Sequence, residues 1–425
     1  MRRRTRTRLG IVAALCVVLG AVAGLRLDAR DARPGRAGDA EGAHWVGTWA
    51  ASPQLTEERN LPPAPAFTDT TLRQVAHVSI GGRMLRVRFS NAFGDAALTV
   101  LSARLARSTG GSAIDATTDR PLTFHGRSSV MIPAGALMVS DPLEFDLPPL
   151  SEVAVTVYVR GAPAAITGHP GSRTTSYFQA GQSVSAVELA MATRVDHWYF
   201  VSGIDVKADR AAATVAVLGD SITDGRGSTT NGNDRWPDNL ARRLQARTET
   251  AHAAVVNHGI GGNRLLRDGL GPSALARLDR DVLAQPGVRW LIVFEGINDI
   301  GTGAGARERG EWAATAEDII AAYEQIIVRC HSHGIRVYGA TILPFEGSEG
   351  YFTARGEADR QTVNEWIRTS GRFDAVIDFD AIARDPDQLS RLSRAVDGGD
   401  HLHPSAAGYR ILADAIDLGL FADDR

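Results

Sequence analysis

The sequence predicts an α/β fold, a doubly wound and mostly parallel sheet, preceded by a β-sandwich or jelly roll. Three observations carry that prediction. First, 425 residues exceed what one ordinary core organises, so two domains are expected. Second, between about residues 44 and 206 the apolar positions recur with period two. Third, from about residue 207 onward short apolar runs alternate with segments of helical period, the texture of strands and helices wound in turn.

The N-terminus has its own logic. Arg2, Arg3, Arg4, Arg6 and Arg8 precede an apolar run from Leu9 to Leu25, and Ala21-Val22-Ala23 offers an A-x-A cleavage site. That anatomy describes a secretory signal peptide over residues 1–25, so a secreted protein is expected. The alternative is an uncleaved segment retained as a membrane anchor, because the run nearly reaches spanning length. Leu15 stands before Cys16 where a lipoprotein signal would need a small residue. With Cys16 removed, Cys330 is the one remaining cysteine, so no internal disulfide is available and the core must hold the fold. Residues 26–43 mix Arg, Asp, Gly and Ala without periodicity and read as a disordered spacer. Hydrophobic content of 44% with 22% charged residues fits a soluble globular protein, and a net charge of −3 gives no support for a nucleic-acid partner.

In the stretch 44–206, Leu85, Val87 and Phe89 alternate with Arg86 and Arg88, and Val153, Val155, Val157 and Val159 alternate with Ala154, Thr156 and Tyr158. Further strands are expected at 75–80, 97–101, 143–145 and 198–206, with Gly81-Gly82 as a hairpin signal. Two packed antiparallel sheets follow from this pattern. Trp45, Trp49, Tyr177, Phe178 and Trp198 are either core and inter-domain packing or a sugar-stacking platform.

In the stretch 207–425, strands are expected at 213–218, 253–257, 290–294, 335–343 and 375–379. Helices are expected at 237–246, 273–284, 314–330, 356–369 and 405–418. Ser273 is placed as a helix N-cap and Gly334 past a helix C-terminus. Cys330 shares a helical stripe with Ile319, Ile320, Tyr323, Ile326 and Ile327 and reads as buried and inert.

Four stretches fall where strands end or just before the last helix. Gly219-Asp220-Ser221 follows the first strand, so the Ser221 hydroxyl and its N–H share the crevice at the carboxyl edge of the sheet. Asn257-His258-Gly259-Ile260-Gly261-Gly262-Asn263 follows the second and leaves N–H groups able to point at a ligand. Glu295-Gly296-Ile297-Asn298-Asp299 follows the third and offers an amide donor. Asp400-His401-Leu402-His403-Pro404 precedes the last helix. An Asp three residues before a His can curl back onto Nδ1 and leave Nε2 for a hydroxyl, which selects His403 over His401. Each stretch alone is an ordinary turn or cap; together they supply the nucleophile, base, orienting carboxylate and donors that acyl transfer needs.

These four ordered blocks resemble those of the SGNH (GDSL) hydrolase superfamily, over about residue 212 to the C-terminus. Trp-x-Gly-Thr-Trp-Ala-Ala-Ser at 45–52 and Thr-Leu-Arg-Gln at 71–74 are similar to the β-domain of a branch of secreted bacterial GDSL lipase/acylhydrolases. The resemblance implies a flavodoxin-like sheet, Ser221 as nucleophile, His403 as base then acid, and Asp400 as its orienting partner. It implies an oxyanion hole made by the N–H groups of Ser221 and Gly262 and the side chain of Asn298. The second block reads Gly261-Gly262-Asn263, so the glycine assignment is open by one position. The resemblance requires no metal or organic cofactor. His258, His331 and His333 lack ligand-type spacing with carboxylates or cysteines.

The expectation is thus a secreted serine esterase acting on a lipid, a small ester or an acylated carbohydrate. Its domains run 44–206 and 207–425, and it meets a membrane only through the signal segment. The rivals are a carbohydrate O-acetylesterase, an acyltransferase using the same triad, and a wall- or carbohydrate-binding protein with an inactive hydrolase half. The loops 226–234, 264–271, 301–310 and 345–354 are expected to shape the pocket.

Overall fold

The period-two half supplies β1 (His44–Ala50), β2 (Thr70–His77), β3 (Gly82–Ser90), β4 (Leu98–Gly110), β5 (Leu143–Leu147), β6 (Glu152–Val159), β7 (Ser176–Ala180) and β8 (Val201–Ala208), with shorter strands between. The structure, a computed structural model, describes residues 42–64 and 66–422. The expected signal peptide, Cys16 and nearly all of the expected spacer lie outside the described residues. One sheet runs β1-β8-β3-β5, the other is built on β7-β2-β6-β4, and neighbours pair antiparallel. Leu85, Val87 and Phe89 of one sheet and Val153, Val155 and Val157 of the other meet in a single buried cluster, the sandwich core that alternation demands. The intervening Arg86 and Arg88 turn the other way and both hold Asp205 of β8, at 2.9 and 3.2 Å.

Two local expectations fail. Gly81-Gly82 does not make a hairpin, because β2 and β3 belong to different sheets. The glycines serve close approach instead: a Cβ at Gly81 would strike the Leu147 carbonyl, and one at Gly82 would lie 3.1 Å from Val206 Cβ. The strand expected over 198–206 breaks at Phe200, whose φ of +62° leaves the extended region and turns its ring onto Phe67, 5.1 Å between centroids.

The second half builds β9 (Ala213–Gly219), β10 (Ala253–Gly259), β11 (Val288–Phe294), β12 (Arg336–Ala340) and β13 (Ala375–Ile377), all pairs parallel, in the order β10-β9-β11-β12-β13. β9 is buried along its whole length, as a strand covered on both faces must be. The order reverses at β9, and at such a switch point a crevice opens beyond the strands' carboxyl ends. Around the sheet lie α1 (Ser221–Asp224), α2 (Trp236–Gln245), α3 (Ala274–Leu278), α4 (Ile297–Gly301), α5 (Gly303–Glu308), α6 (Ala316–His331), α7 (Ala354–Thr369), α8 (Phe379–Ala383) and α9 (Ala406–Asp414). This is a doubly wound α/β fold on a parallel sheet, preceded by a region of antiparallel strands. Thr315 and Asp318 close a capping box at the start of α6. Cys330, near its end, is buried, which pushes its thiol up to about 12. Ser273 stands at the N-cap of α3 without a side-chain capping bond; its own N–H is held by Asp268 at 2.7 Å.

The two halves interlock through β1, which lies against β10. Gly47 N–H donates to Pro286 O at 3.0 Å, and Val255 N–H donates to Ser79 Oγ at 3.0 Å. The described residues form a single compact unit.

Candidate active site

At the carboxyl end of β9 the chain must turn sharply into α1, and Asp220 makes the turn. Its Oδ1 accepts the Ile222 N–H at 2.9 Å, which caps α1, and Gly225 at φ +101° ends it after one turn. Ser221 is thereby presented, half-buried, to a cavity of about 930 Å³. Its Oγ lies 2.8 Å from His403 Nε2. His403 Nδ1 lies 2.7 Å from Asp400 Oδ2, while Asp400 Oδ1 accepts the backbone N–H groups of His403 and Leu402. A carboxylate can only accept, so Nδ1 carries the ring proton and the Nε2 lone pair faces the serine hydroxyl. His401 also borders the cavity, but it sits at φ +58°, exposed, with Nδ1 on Asp397 at 2.6 Å.

The two expected donors border the same cavity. Gly261 N–H is taken by Asp224 Oδ2 at 3.1 Å, so Gly262, at φ +70°, is the glycine of the pair whose N–H is left to face the cavity. Asn298, nearly fully buried, has its amide fixed at both ends. Nδ2 donates to Asn263 O at 2.8 Å, and Oδ1 accepts from Tyr351 O–H at 2.9 Å. That bond orients the amide and leaves its second N–H hydrogen for the cavity.

Burial lowers the proton affinity of His403 below that of a free imidazole. Its bond to Asp400 opposes that, and the positive charges of Arg226 and Arg173 reinforce it. Burial works to raise the Asp400 carboxyl, but the hydrogen bonds from His403 and Leu402 hold it below the ordinary value. Beneath the loops lies a group that sequence reasoning did not single out. Arg277, fully buried, donates to Gly219 O at 3.0 Å, His258 O at 2.6 Å and Asn263 Oδ1, so one guanidinium joins the first two blocks. Around it burial raises Asp220 to about 7, Asp299 to about 6 and Glu295 well above the carboxylate range. His258 is buried against Ser52 and pushed down to about 3, a structural imidazole.

The first half contributes a wall. His169 Nδ1 lies 2.9 Å from Ser52 O and its Nε2 2.9 Å from Asp224 Oδ1, so a residue of the β half clamps the carboxylate that holds Gly261. Gln54, Arg59, Arg173 and His197 also line the cavity. No local pattern marked them, because their role depends on how the halves pack. Of the four loops expected to shape the pocket, 226–234, 264–271 and 345–354 contribute lining residues. The stretch 301–310 does not, being folded into α5 and its flanks. The aromatic residues are packing: Trp49 meets Trp198 edge to face at 4.9 Å, Tyr177 and Phe178 are buried, and Arg86 covers Trp45 at 4.4 Å. Among the described residues no cluster of three or more His, Cys, Asp or Glu side chains could hold a metal ion.

The GDSL-like Lipase/Acylhydrolase family matches residues 217–411, a span that contains all five residues of the proposed site. Among solved structures the chain is similar to an acetyl xylan esterase from Geobacillus stearothermophilus, with 25% identity, 48% of this chain and 94% of that one covered, and a TM-score of 0.38. It is similar to an alpha/beta hydrolase enzyme from the metagenome of Lake Arreo, Spain, with 20% identity, 48% and 94% covered, and a TM-score of 0.37. It is also similar to a GDSL-like lipase from Bacteroides thetaiotaomicron, with 17% identity, 48% and 84% covered, and a TM-score of 0.33. No curated protein matches the chain. The span 217–411, whose strand-end loops gather a serine, a histidine and an asparagine around one cavity, is a GDSL-like lipase/acylhydrolase domain of the SGNH hydrolase type.

Proposed function

We propose that the protein is a serine esterase that cleaves carboxylic esters through an acyl-enzyme on Ser221. The observation that carries the reading is the run of short contacts from Ser221 Oγ through His403 to Asp400 at the edge of the cavity. His403 Nε2 takes the Ser221 proton as Oγ attacks the ester carbonyl. The carbonyl oxygen becomes an oxyanion held by the N–H groups of Ser221 and Gly262 and by the Asn298 amide. Asp400 keeps the imidazole oriented and stabilises the imidazolium. The tetrahedral intermediate collapses, the C–O bond to the alcohol breaks, and His403 returns the proton to the departing oxygen. Water then repeats the sequence on the acyl-enzyme, releasing the acid and regenerating Ser221.

Charged Arg59, Arg173, Glu57 and Glu349 line the cavity together with apolar surface from Pro170, Leu270 and Leu402, which supports substrates that carry both polar and apolar groups. Export rests on the arginine-rich apolar leader of the sequence. The test is Ser221→Ala in the purified protein, assayed on p-nitrophenyl acetate. Hydrolysis is expected to vanish while the circular dichroism spectrum is retained. Turnover at the parent rate would remove Ser221 as the nucleophile.

A further inference from the structure

Beside His403 a second hollow of about 420 Å³ opens off the main cavity, bordered by Arg173, Arg226, Gly227, Ser228 and Gly398. Its one carboxylate, Asp400, is already committed to His403. Neither guanidinium forms an ion pair with any described residue, and Arg173 Nε is buried without a hydrogen-bond partner. Both lie close enough to His403 for their charge to act on it. Two unneutralised cations next to a base that must accept a proton work against that base, so they need another use.

Arg173 is also held at a backbone cost. It sits at φ +50°, where a non-glycine residue is strained. The strain is maintained from across the halves: Asn231 N–H donates to Arg173 O at 2.9 Å, and Asn231 Oδ1 accepts the Thr175 N–H at 2.8 Å. Gly227, at φ +93°, brings bare backbone against Pro404 O, which leaves the floor of the hollow open.

The reaction fixes which part of a substrate lies here. His403 must protonate the departing alkoxide, so the alcohol portion of the ester lies on its side of the serine. We propose that Arg173 and Arg226 form an anion subsite, and that the preferred substrates are esters whose alcohol carries a negatively charged group such as a carboxylate. This deepens the esterase reading and rests on it. A planar fork of N–H donors suits a carboxylate in particular, and two such forks on one hollow, Arg173 partly buried and Arg226 exposed, favour an anion over its neutral isostere.

The experiment compares 4-acetoxybenzoate with its neutral isostere 4-acetoxybenzamide, and 4-acetoxybenzenesulfonate distinguishes carboxylate from other anions. The readout is the ratio of kcat/KM for the anionic ester to that for the amide, so that any effect on the shared chemistry cancels. In Arg173→Gln/Arg226→Gln the ratio is expected to fall about tenfold or more relative to the parent protein, through KM, as expected for lost charge-assisted hydrogen bonds. A fall confined to the benzoate assigns a carboxylate; an equal fall for the sulfonate assigns anions in general, and either supports the subsite. Should the double variant fail to fold, product inhibition of the parent protein serves. There 4-hydroxybenzoate is expected to inhibit more strongly than 4-hydroxybenzamide, with the difference shrinking in salt. An unchanged ratio in the variant, or equal inhibition by the two products, overturns the subsite while leaving the esterase reading intact. Failure of the parent protein to hydrolyse any of the three esters would instead strike the esterase reading.

Discussion

In the proposed mechanism His403 holds a proton only in passing, and its surroundings set the pH at which it can take one. Burial and the neighbouring guanidiniums outweigh Asp400 and place its titration below 6.5. The base works only when neutral, so kcat/KM rises with pH through that titration, and the ascending limb is expected below pH 6.5. Asp400→Asn removes what holds the proton on the ring, so the limb moves further to acid while the plateau falls by roughly 10²–10⁴. A limb above 6.5 in the parent protein, or a variant plateau at the parent level, contradicts this. Asn298 is the complementary case. Its amide is fixed by Asn263 and Tyr351 before any substrate arrives, so in the proposed mechanism it acts most where charge develops. Asn298→Ala is expected to lower kcat by roughly 10²–10³ with little change in KM. A change in KM alone would make it a binding residue. These residues were legible because each stands at a strand end or before a helix, where sequence position fixes location. Arg277, Asp224 and Tyr351 were not, since a buried arginine, a helix-end aspartate and a loop tyrosine are set apart only by neighbours distant in the chain.

Element boundaries were legible where a period or a cap marks them, as for α6 and β9, and illegible where packing overrides the pattern. Gly81-Gly82 reads as a hairpin until the sheets on either side are known to differ. Phe200 reads as strand until its ring is needed against Phe67. The short strand Thr167–His169 shows the functional side of the same limit. Nothing in its sequence marks it, yet it carries His169 to Asp224, whose other oxygen holds the Gly261 N–H beside Gly262. His169→Ala leaves a buried carboxylate short of one hydrogen bond, at a stability cost of about 1–3 kcal/mol. It also frees the turn that presents the Gly262 N–H. The expected result is a lower melting temperature together with a fall in kcat of about tenfold, KM changing less, and partial restoration of both by His169→Gln. A variant that melts early but turns over at the parent kcat would confine His169 to stability.

At the scale of the whole molecule the change of texture near residue 207 suggests two domains, but the polar groups beneath the loops that carry Ser221, Gly262 and Asn298 are shared across it. Ser52 is the meeting point. Its hydroxyl faces His258 Nδ1 at 3.1 Å and accepts from Arg277 at 3.1 Å, while its carbonyl faces His169. Separating the halves would expose this junction, strip Arg277 and Asp224 of partners, and uncover β10 where β1 covers it. Buried charged groups that lose a partner are expensive to leave unpaired, so neither half can open without destabilising the other. Inter-domain surfaces that are small and polar allow separate melting; one threaded by buried bonds to both halves does not. Calorimetry is therefore expected to give one transition whose van't Hoff and calorimetric enthalpies agree, with esterase activity lost over the same temperature interval as the far-ultraviolet signal. Two resolved transitions, with activity following only the second, would mean that the β half is a separable attachment and that its wall of the cavity is dispensable for the chemistry.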